Sequence, residues 1–255
     1  MHFPRLAVVL GGCLCCVHTL NAQTLPTSTS PQLSAIGDSA RVPQGHSFKR
    51  TAPPFFRASA AAVGVSAVVS LADGPLMQEI AKLRTRGGGL RQASAFSAAL
   101  GGIVPLSLGA TLWAGGALTK NDFAERVGFE STQAVMLSGV ITIGVKGLIG
   151  RSRPNSSDDA DDFSPGRGFF DAQRASFPSG HTSAAFAVAT VLSSELSARH
   201  PSRRWLIRGA LYSAATTVGL ARMYQNAHWP SDVVTGAALG TLSGLQALSW
   251  HGRKQ

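Results

Sequence analysis

From Ala58 to the end of the chain, hydrophobic positions recur with the period of an α-helix. No segment alternates between apolar and polar residues as a half-buried strand does. The pattern therefore predicts an all-α domain over residues 58–250, with a shorter amphipathic segment from Leu76 to Leu83. Six helices are expected, at residues 58–72, 95–118, 123–150, 180–198, 204–222 and 231–249.

The amino-terminal 22 residues have the pattern of a secretory signal peptide. Arg5 precedes an apolar stretch of signal length, and Ala22 is a small residue suited to cleavage. Two alternatives remain open: an uncleaved membrane anchor, and a lipoprotein cleavage box that ends at Cys13. All three cysteines lie within this segment, so a cleaved chain would contain no disulfide. Residues 23–57, rich in Ser, Thr, Pro and Gln, are predicted to be a flexible linker.

The chain is strongly basic, with a formal net charge of +10 although charged residues make up only 14% of it. This balance favours anionic partners, namely a phosphorylated small molecule or lipid and an anionic membrane surface. Nucleic acid is not expected, because no run of Lys and Arg is interleaved with aromatic residues. The sequence does not indicate an oligomeric state.

Only the segment Ala95–Thr119 has an uncharged run long enough to cross a membrane. In an up-and-down bundle of six spanning helices, a cleaved signal would place the helix ends that carry Lys146, His181 and His228, the candidate site described below, inside the cell. The basic residues Arg199, Arg203 and Arg204 would instead place it outside. An exported domain, periplasmic or on the periplasmic face of the inner membrane, resolves this conflict. The alternative is an integral membrane protein with an unprocessed amino terminus.

Three motifs carry residues suited to phosphate chemistry. In the first, Lys146 and Arg153 lie seven residues apart, so they can share one face at the end of a helix that Pro154 terminates. Arg grips phosphate oxygens in a bidentate manner, and Lys adds a point charge. Alone, the pair is better explained as a basic helix end that complements the helix dipole.

The second motif is Pro178-Ser179-Gly180-His181, directly before an apolar run. Ser179 is a natural N-cap, and Gly180 lets the backbone approach a ligand closely. Free N–H groups at a helix start bind anions. An ordinary capped helix with a surface histidine would show the same residues.

In the third motif, Arg222, His228 and Asp232 flank the turn before the last helix, where Pro230 occupies an early helical position. A carboxylate on one ring nitrogen of His228 would fix its tautomer and leave the other nitrogen free to attack. Alone, this motif equally fits an Asp at a helix start beside a chance histidine. Together the three motifs predict one site for phosphoryl transfer.

The acidic residues Asp158, Asp159, Asp161 and Asp162 lie in the predicted loop 151–177. Their spacing does not follow a calcium-binding loop. A solvated acidic loop is therefore favoured over a cation site.

The three motifs resemble the signature of the type 2 phosphatidic acid phosphatase (PAP2) family. That family shares its fold with bacterial non-specific acid phosphatases and vanadium haloperoxidases. The signature is Lys-x6-Arg-Pro, Pro-Ser-Gly-His and Ser-Arg-x5-His-x3-Asp. The chain has every element except the Ser, which is replaced by Ala221.

The resemblance implies a helical bundle of the PAP2 type and a role for each matching residue. His228 would be the nucleophile that forms a phosphohistidine, Asp232 would orient it, and His181 would protonate the leaving oxygen and then activate water. No metal or other cofactor is expected. The phosphate would be bound by Lys146, Arg153, Ser179, the Gly180 amide and Arg222.

Three functions follow as hypotheses. The first is a phosphatase that acts on a phosphomonoester or a pyrophosphate, with a lipid or polyprenyl phosphate favoured by the predicted setting. The second is a vanadate-dependent haloperoxidase, because the anion-binding motifs are common to both. The third is a non-catalytic helical envelope protein.

Overall fold

A computed structural model describes residues 55–85 and 88–252, with side chains described for 59–85 and 91–252. This part of the chain is all-α, as predicted, but it contains eight helices instead of six. Six of them have 16 residues or more, and the other two have 12. They are α1 (Phe55–Ser70), α2 (Asp73–Arg84), α3 (Gly88–Ala99), α4 (Val104–Thr119), α5 (Asp122–Ile149), α6 (Gly180–Arg199), α7 (Arg204–Tyr224) and α8 (Pro230–His251).

The amino-terminal half shows most of the differences from the predicted helices. The proposed signal peptide lies outside the described residues, as does the linker up to residue 54. Helix α1 begins within the last three residues of that linker, and the amphipathic segment is the longer helix α2. The prediction of a single helix over 95–118 is wrong. It is broken after Ala99, and a new helix starts with Pro105 in its first turn, where the missing N–H costs no hydrogen bond.

Helix α5 is confirmed to within one residue of the expected range 123–150, but the residue that stops it differs from the prediction. The helix ends at Ile149, because Gly150 adopts a left-handed conformation with φ of 62° and donates its N–H to the Lys146 carbonyl at 3.0 Å. Pro154 is therefore not the residue that stops the helix, and Arg153 lies in the following loop. Lys146 and Arg153 do not share a helix face, contrary to the prediction.

Glycines on one face of α8 allow α6 to pack unusually close. A Cβ atom on Gly236 would lie 2.5 Å from the Ser179 carbonyl oxygen, and one on Gly240 would lie 2.1 Å from that of Ser183. A Cβ atom on Gly244 would lie 2.7 Å from the Cβ atom of Thr190. Spacing of four residues puts the three glycines on one stripe, so the backbones approach as in small-residue helix pairs. The two helices run parallel, and their amino-terminal ends meet.

Contacts along the bundle fix which helix ends lie together. Helix α1 runs antiparallel to α8, because Ser66 bonds Thr235 at 2.8 Å while Asp73, just beyond α1, bonds Ser231 at the start of α8. The end that holds the amino termini of α6 and α8 therefore also holds the carboxy terminus of α1 and the start of α2. We call it the site end.

One described helix, α5, is long and apolar enough to cross a membrane by itself. The pairs α1–α2 and α3–α4 would each qualify together, but they are bent by 64° and 43° at their breaks. The sequence had indicated the segment Ala95–Thr119 instead. That segment is interrupted, whereas α5 qualifies because its charged residues are concentrated near its ends.

Candidate active site

The structure brings all eight predicted site residues to the site end of the bundle. Lys146 lies in the last turn of α5, Arg153 in the loop after it, and Arg222 in the last turn of α7. The amino-terminal ends of α6 and α8 carry the rest: Ser179, Gly180 and His181 on one, His228 and Asp232 on the other. These segments are far apart in sequence, so only the packing of the helices unites them.

Ser179 caps α6, as the sequence predicted. Its side chain accepts the Thr182 N–H at 3.5 Å and bonds the Thr182 hydroxyl at 2.9 Å, while its own N–H donates to the Asp232 carbonyl at 2.9 Å. The Ser179 side chain is fully buried. The following residue, Gly180, starts the helix, where backbone N–H groups without intrahelical partners form an anion site.

Lys146 and Arg153 are oriented by the loop between α5 and α6. The Lys146 ammonium donates to the carbonyls of Ala175 at 2.6 Å and Ser176 at 3.1 Å. The Nε atom of Arg153 donates to the Ala172 carbonyl at 2.9 Å. An ammonium has three donors and a guanidinium five, so both groups retain donors for a ligand.

Arg222 contains a buried donor without a partner. One of its amino groups donates to Gln225 at 2.8 Å, and the Gln225 amide donates to the Ser94 carbonyl of α3 at 3.0 Å. The Nε atom of Arg222 is buried and has no hydrogen-bond partner among the described residues. A buried donor left unpaired is costly, so this atom is a candidate donor to an anionic ligand.

His181 lies against the break between α3 and α4. A Cβ atom on Gly102 would be 3.5 Å from Nε2 of the ring. Burial is the main reason that the pKa of His181 is lowered to about 4, and the positive charges of Arg222, Lys146 and Arg153 contribute to this lowering. In the absence of an anion, the ring is therefore neutral at neutral pH.

His228 is 2% exposed and lies beside Asp232. Its Nδ1 atom is 3.5 Å from Oδ2 of Asp232, longer than an ordinary hydrogen bond. Burial is the main reason that the pKa of His228 is lowered to about 3; Lys146 and Arg153 also lower it, against the opposing effect of Asp232. The imidazole is neutral above that pH and has a lone pair available for attack. The same two cations influence His181 and His228, so both rings face one cationic region.

Asp232 is held by a set of donors. Its Oδ2 accepts the Trp229 N–H at 2.9 Å and the Ser176 hydroxyl at 2.5 Å, and its Oδ1 accepts Nη1 of Arg151 at 2.7 Å. Burial alone would raise the pKa of this carboxyl, but Arg151, His228 and Ser176 outweigh burial and hold the pKa below its ordinary value. Asp232 is therefore ionised and fixed in orientation.

Sequence reasoning missed Arg151, which is buried and joins two carboxylates. Its Nη1 donates to Asp232 and to Ser231, each at 2.7 Å, and its Nη2 donates to Asp73 at 2.7 Å. Asp73 in turn accepts the Ser231 N–H at 2.8 Å, at the start of α8. The only sequence signal was a second Arg close to Arg153. Nothing local indicated that it is buried.

The acidic loop residues are mostly exposed, as the favoured interpretation expected. Asp162 is the exception, because it accepts the Ser152 hydroxyl at 2.7 Å and Arg174 at 3.0 Å. Across the described ranges, no group of three or more His, Cys, Asp or Glu side chains is arranged to hold a metal ion. Through its bonds to Ser152 and Arg174, Asp162 stabilises the loop that carries Arg153.

Comparison with known proteins supports a single family. The family model described as the PAP2 superfamily matches residues 131–255. The chain is 46% identical over 69 residues to lipid A 1-phosphatase of Porphyromonas gingivalis, which covers 27% of this chain and 15% of that protein. It is 36% identical over 132 residues to lipid phosphate phosphatase 1 of Arabidopsis thaliana, which covers 43% of this chain and 39% of that protein. The chain thus spans less than half the length of either relative.

Two solved structures are similar in fold. A transmembrane PAP2-type phosphatidylglycerolphosphate phosphatase from Bacillus subtilis aligns with a TM-score of 0.55 at 21% identity, over 79% of this chain and 94% of that one. Aquifex aeolicus LpxE aligns with a TM-score of 0.51 at 27% identity, over 69% of this chain and 93% of that one. The helical architecture is therefore shared with these proteins.

Proposed function

The chain belongs to the PAP2 superfamily through residues 131–255, and on that premise we propose that it is a lipid phosphatase. It would hydrolyse a phosphomonoester or a pyrophosphate borne by a lipid. The observation that carries the proposal is the neutral, buried His228 beside the ionised Asp232, within reach of Lys146 and Arg153. The similar proteins named above are phosphatases of lipid phosphates by name, which favours this function over halide oxidation.

The geometry suggests how the residues would divide the reaction. The Nδ1 atom of His228 faces Asp232, so Nε2 is the nitrogen free to attack phosphorus. As the P–N bond forms, the bond from phosphorus to the leaving oxygen breaks, and His181 in its protonated form gives that oxygen a proton. Water then attacks phosphorus, His181 accepts the proton of that water, and the P–N bond breaks to release phosphate.

The cations would supply most of the stabilisation. In phosphoryl transfer, charge builds on the non-bridging oxygens, and fixed positive groups lower the barrier more than covalent chemistry does. Lys146, Arg153 and Arg222 would bind these oxygens, together with the Gly180 amide at the start of α6. The buried Nε of Arg222, which has no partner among the described residues, would be one of these donors. Ser179 would act chiefly by capping α6, because its side chain is occupied by Thr182.

We further propose that the protein is embedded in the membrane with its site end outside the cytoplasm. Helix α5 has the length and hydropathy of a span, and the aligned Bacillus subtilis protein is described as transmembrane. The far end of the bundle carries Arg199, Arg203 and Arg204, which the positive-inside rule places in the cytoplasm. Helix α1 begins at that far end, which fits the integral alternative with an unprocessed amino terminus better than a cleaved signal.

The decisive experiment traps the covalent intermediate. Purified protein is mixed with a 32P-labelled lipid phosphate, quenched in base, and examined for label that is stable in base and labile in acid. We expect label and turnover in the wild type, and neither in His228→Ala. His200→Ala is the matched control, because His200 is exposed at the far end. Full turnover in His228→Ala would overturn the proposal.

A further inference from the structure

An exposed apolar stripe on α5 runs towards the site end. Met136, Val140 and Ile143 are all more than half exposed, and their spacing of four and three residues puts them on one face of the helix. The next position on that face, four residues further, is Gly147. Because Gly147 has no side chain, α5 itself leaves a gap in the stripe at this position. Lys146, a phosphate-binding residue in the proposed site, directly precedes it.

Phe169 takes the place of that missing side chain. The loop after α5 folds back, and a Cβ atom on Gly147 would lie 2.1 Å from the Phe169 ring. The backbone approaches equally closely, because a Cβ atom on Gly168 would lie 2.0 Å from the Lys146 carbonyl oxygen. Phe169 thus continues the stripe from the helix onto the loop, although it remains 53% exposed.

Phe170 extends the stripe further and is 93% exposed. Its ring centroid is 6.3 Å from that of Phe169. The turn that carries it is fixed, because the N–H groups of Phe170 and Asp171 both donate to the Arg167 carbonyl at 3.0 Å. The large apolar ring is therefore presented to its surroundings by an ordered backbone.

The same segment holds the phosphate-binding arginine. Two residues after Phe170, the Ala172 carbonyl accepts Nε of Arg153 at 2.9 Å, and the Gln173 carbonyl accepts the Arg153 N–H at 2.9 Å. The two phenylalanines and the phosphate-binding Arg153 are thus linked through one short stretch of backbone. A ligand that uses both must carry a phosphate and a hydrocarbon.

We infer that the stripe formed by Met136, Val140, Ile143, Phe169 and Phe170 binds the hydrocarbon chain of the lipid substrate while its phosphate occupies the cationic site. The occupant is a lipid chain because the stripe begins on the helix with the properties of a membrane span and ends where that helix would leave the bilayer. Exposed phenylalanines beside basic residues are typical of surfaces that enter the lipid interface. This inference rests on the proposed function and names the residues that would contact the lipid chain of its substrate.

The test compares two substrates in one set of variants. The full-length protein, in phosphatidylcholine vesicles, is assayed with dioleoyl phosphatidate and with p-nitrophenyl phosphate, which has no lipid chain. In Phe170→Ser we expect kcat/KM for the lipid to fall roughly tenfold, the loss that corresponds to most of one buried phenyl ring. Hydrolysis of p-nitrophenyl phosphate should stay within about twofold, because Phe170 touches none of the phosphate-binding groups.

Two controls separate the outcomes. Phe170→Trp should keep lipid hydrolysis, because it retains a large apolar ring, and Leu206→Ser removes a similarly exposed apolar side chain at the far end without effect. If the wild type is active, the inference alone would be overturned by a Phe170→Ser variant whose kcat/KM falls for neither substrate, or falls equally for both. A wild type that hydrolyses neither substrate would overturn the proposed function and the inference with it.

Discussion

The buried triad of Asp73, Arg151 and Asp232 offers the sharpest test of how the site is held. Asp73→Asn keeps the shape of the side chain but removes its charge. An amide oxygen can still accept the Ser231 N–H, whereas the amide nitrogen would face Nη2 of Arg151, donor against donor. Arg151 would then keep Asp232, the Ser231 hydroxyl and the Ala160 carbonyl as its partners.

The expected loss of stability follows from burial. All three charged groups are at most 2% exposed, and removing one partner of such a pair costs about 3–5 kcal/mol. Because Arg151 keeps three partners, the lower end applies, about 3 kcal/mol. For a domain of this size, that loss corresponds to a drop in Tm of about 6–12 °C.

Catalysis should also respond, although Asp73 does not contact the proposed phosphate-binding groups. The change loosens Arg151, and through it the carboxylate of Asp232 that orients the His228 ring. We expect kcat to fall roughly tenfold, equivalent to about 1.4 kcal/mol, with KM unchanged. A purely structural role for Asp73 would lower Tm and leave kcat at a permissive temperature untouched.

The assay combines thermal unfolding in detergent with kinetics well below the unfolding temperature. Asp158→Asn is the matched control, since the same chemical change occurs on an exposed carboxylate of the loop. Arg151→Gln completes a double-mutant cycle. If Asp73 acts through Arg151, adding Asp73→Asn to Arg151→Gln has little further effect on kcat. A Tm and kcat equal to those of the wild type in Asp73→Asn would refute the reasoning.

Two further predictions concern His181 and the glycine stripe. A bound phosphate or vanadate should raise the pKa of His181 from about 4, because the anion offsets the nearby cations; the alkaline limb of kcat should then lie at higher pH than that of kcat/KM. NMR titration of the ring with and without vanadate checks this, and identical midpoints would contradict it. Gly240→Ala should lower Tm by several degrees, because its Cβ would lie 2.1 Å from the Ser183 carbonyl oxygen, whereas Gly144→Ala, with open space around it, should not. Equal Tm values for the two variants would show that α6 and α8 are not closely packed.

Prediction from sequence succeeded best where the signals are local. Helices α6, α7 and α8 begin and end within about two residues of the expected positions, because caps and breakers act within one turn. Ser179 and Pro230 occupy the helix starts that their chemistry favours. The prediction of one helix over 95–118 failed. The end of α5 lies within one residue of the expected position, but Gly150 stops the helix, and not Pro154 as predicted.

The motifs specified which residues belong to the site, while their chemical roles remain predictions. Local spacing indicated that Lys146, His181 and His228 lie at helix ends, and the resemblance joined them into one hypothesis. It did not indicate that Arg153 lies in a loop, or that the Ala172 carbonyl accepts a hydrogen bond from its Nε. Those details depend on how the loop after α5 returns across the helix end.

What the sequence by itself determined was the all-α class and the helices that carry the motifs, because periodicity and capping involve residues close in the chain; which side chains react stays a prediction. The tertiary structure alone decided that Arg151 is buried between carboxylates 78 and 81 positions away, and that Phe169 covers Gly147. Burial and the pairing of charges are properties of the whole packed bundle. No local pattern records which distant group will lie opposite a side chain when the helices assemble.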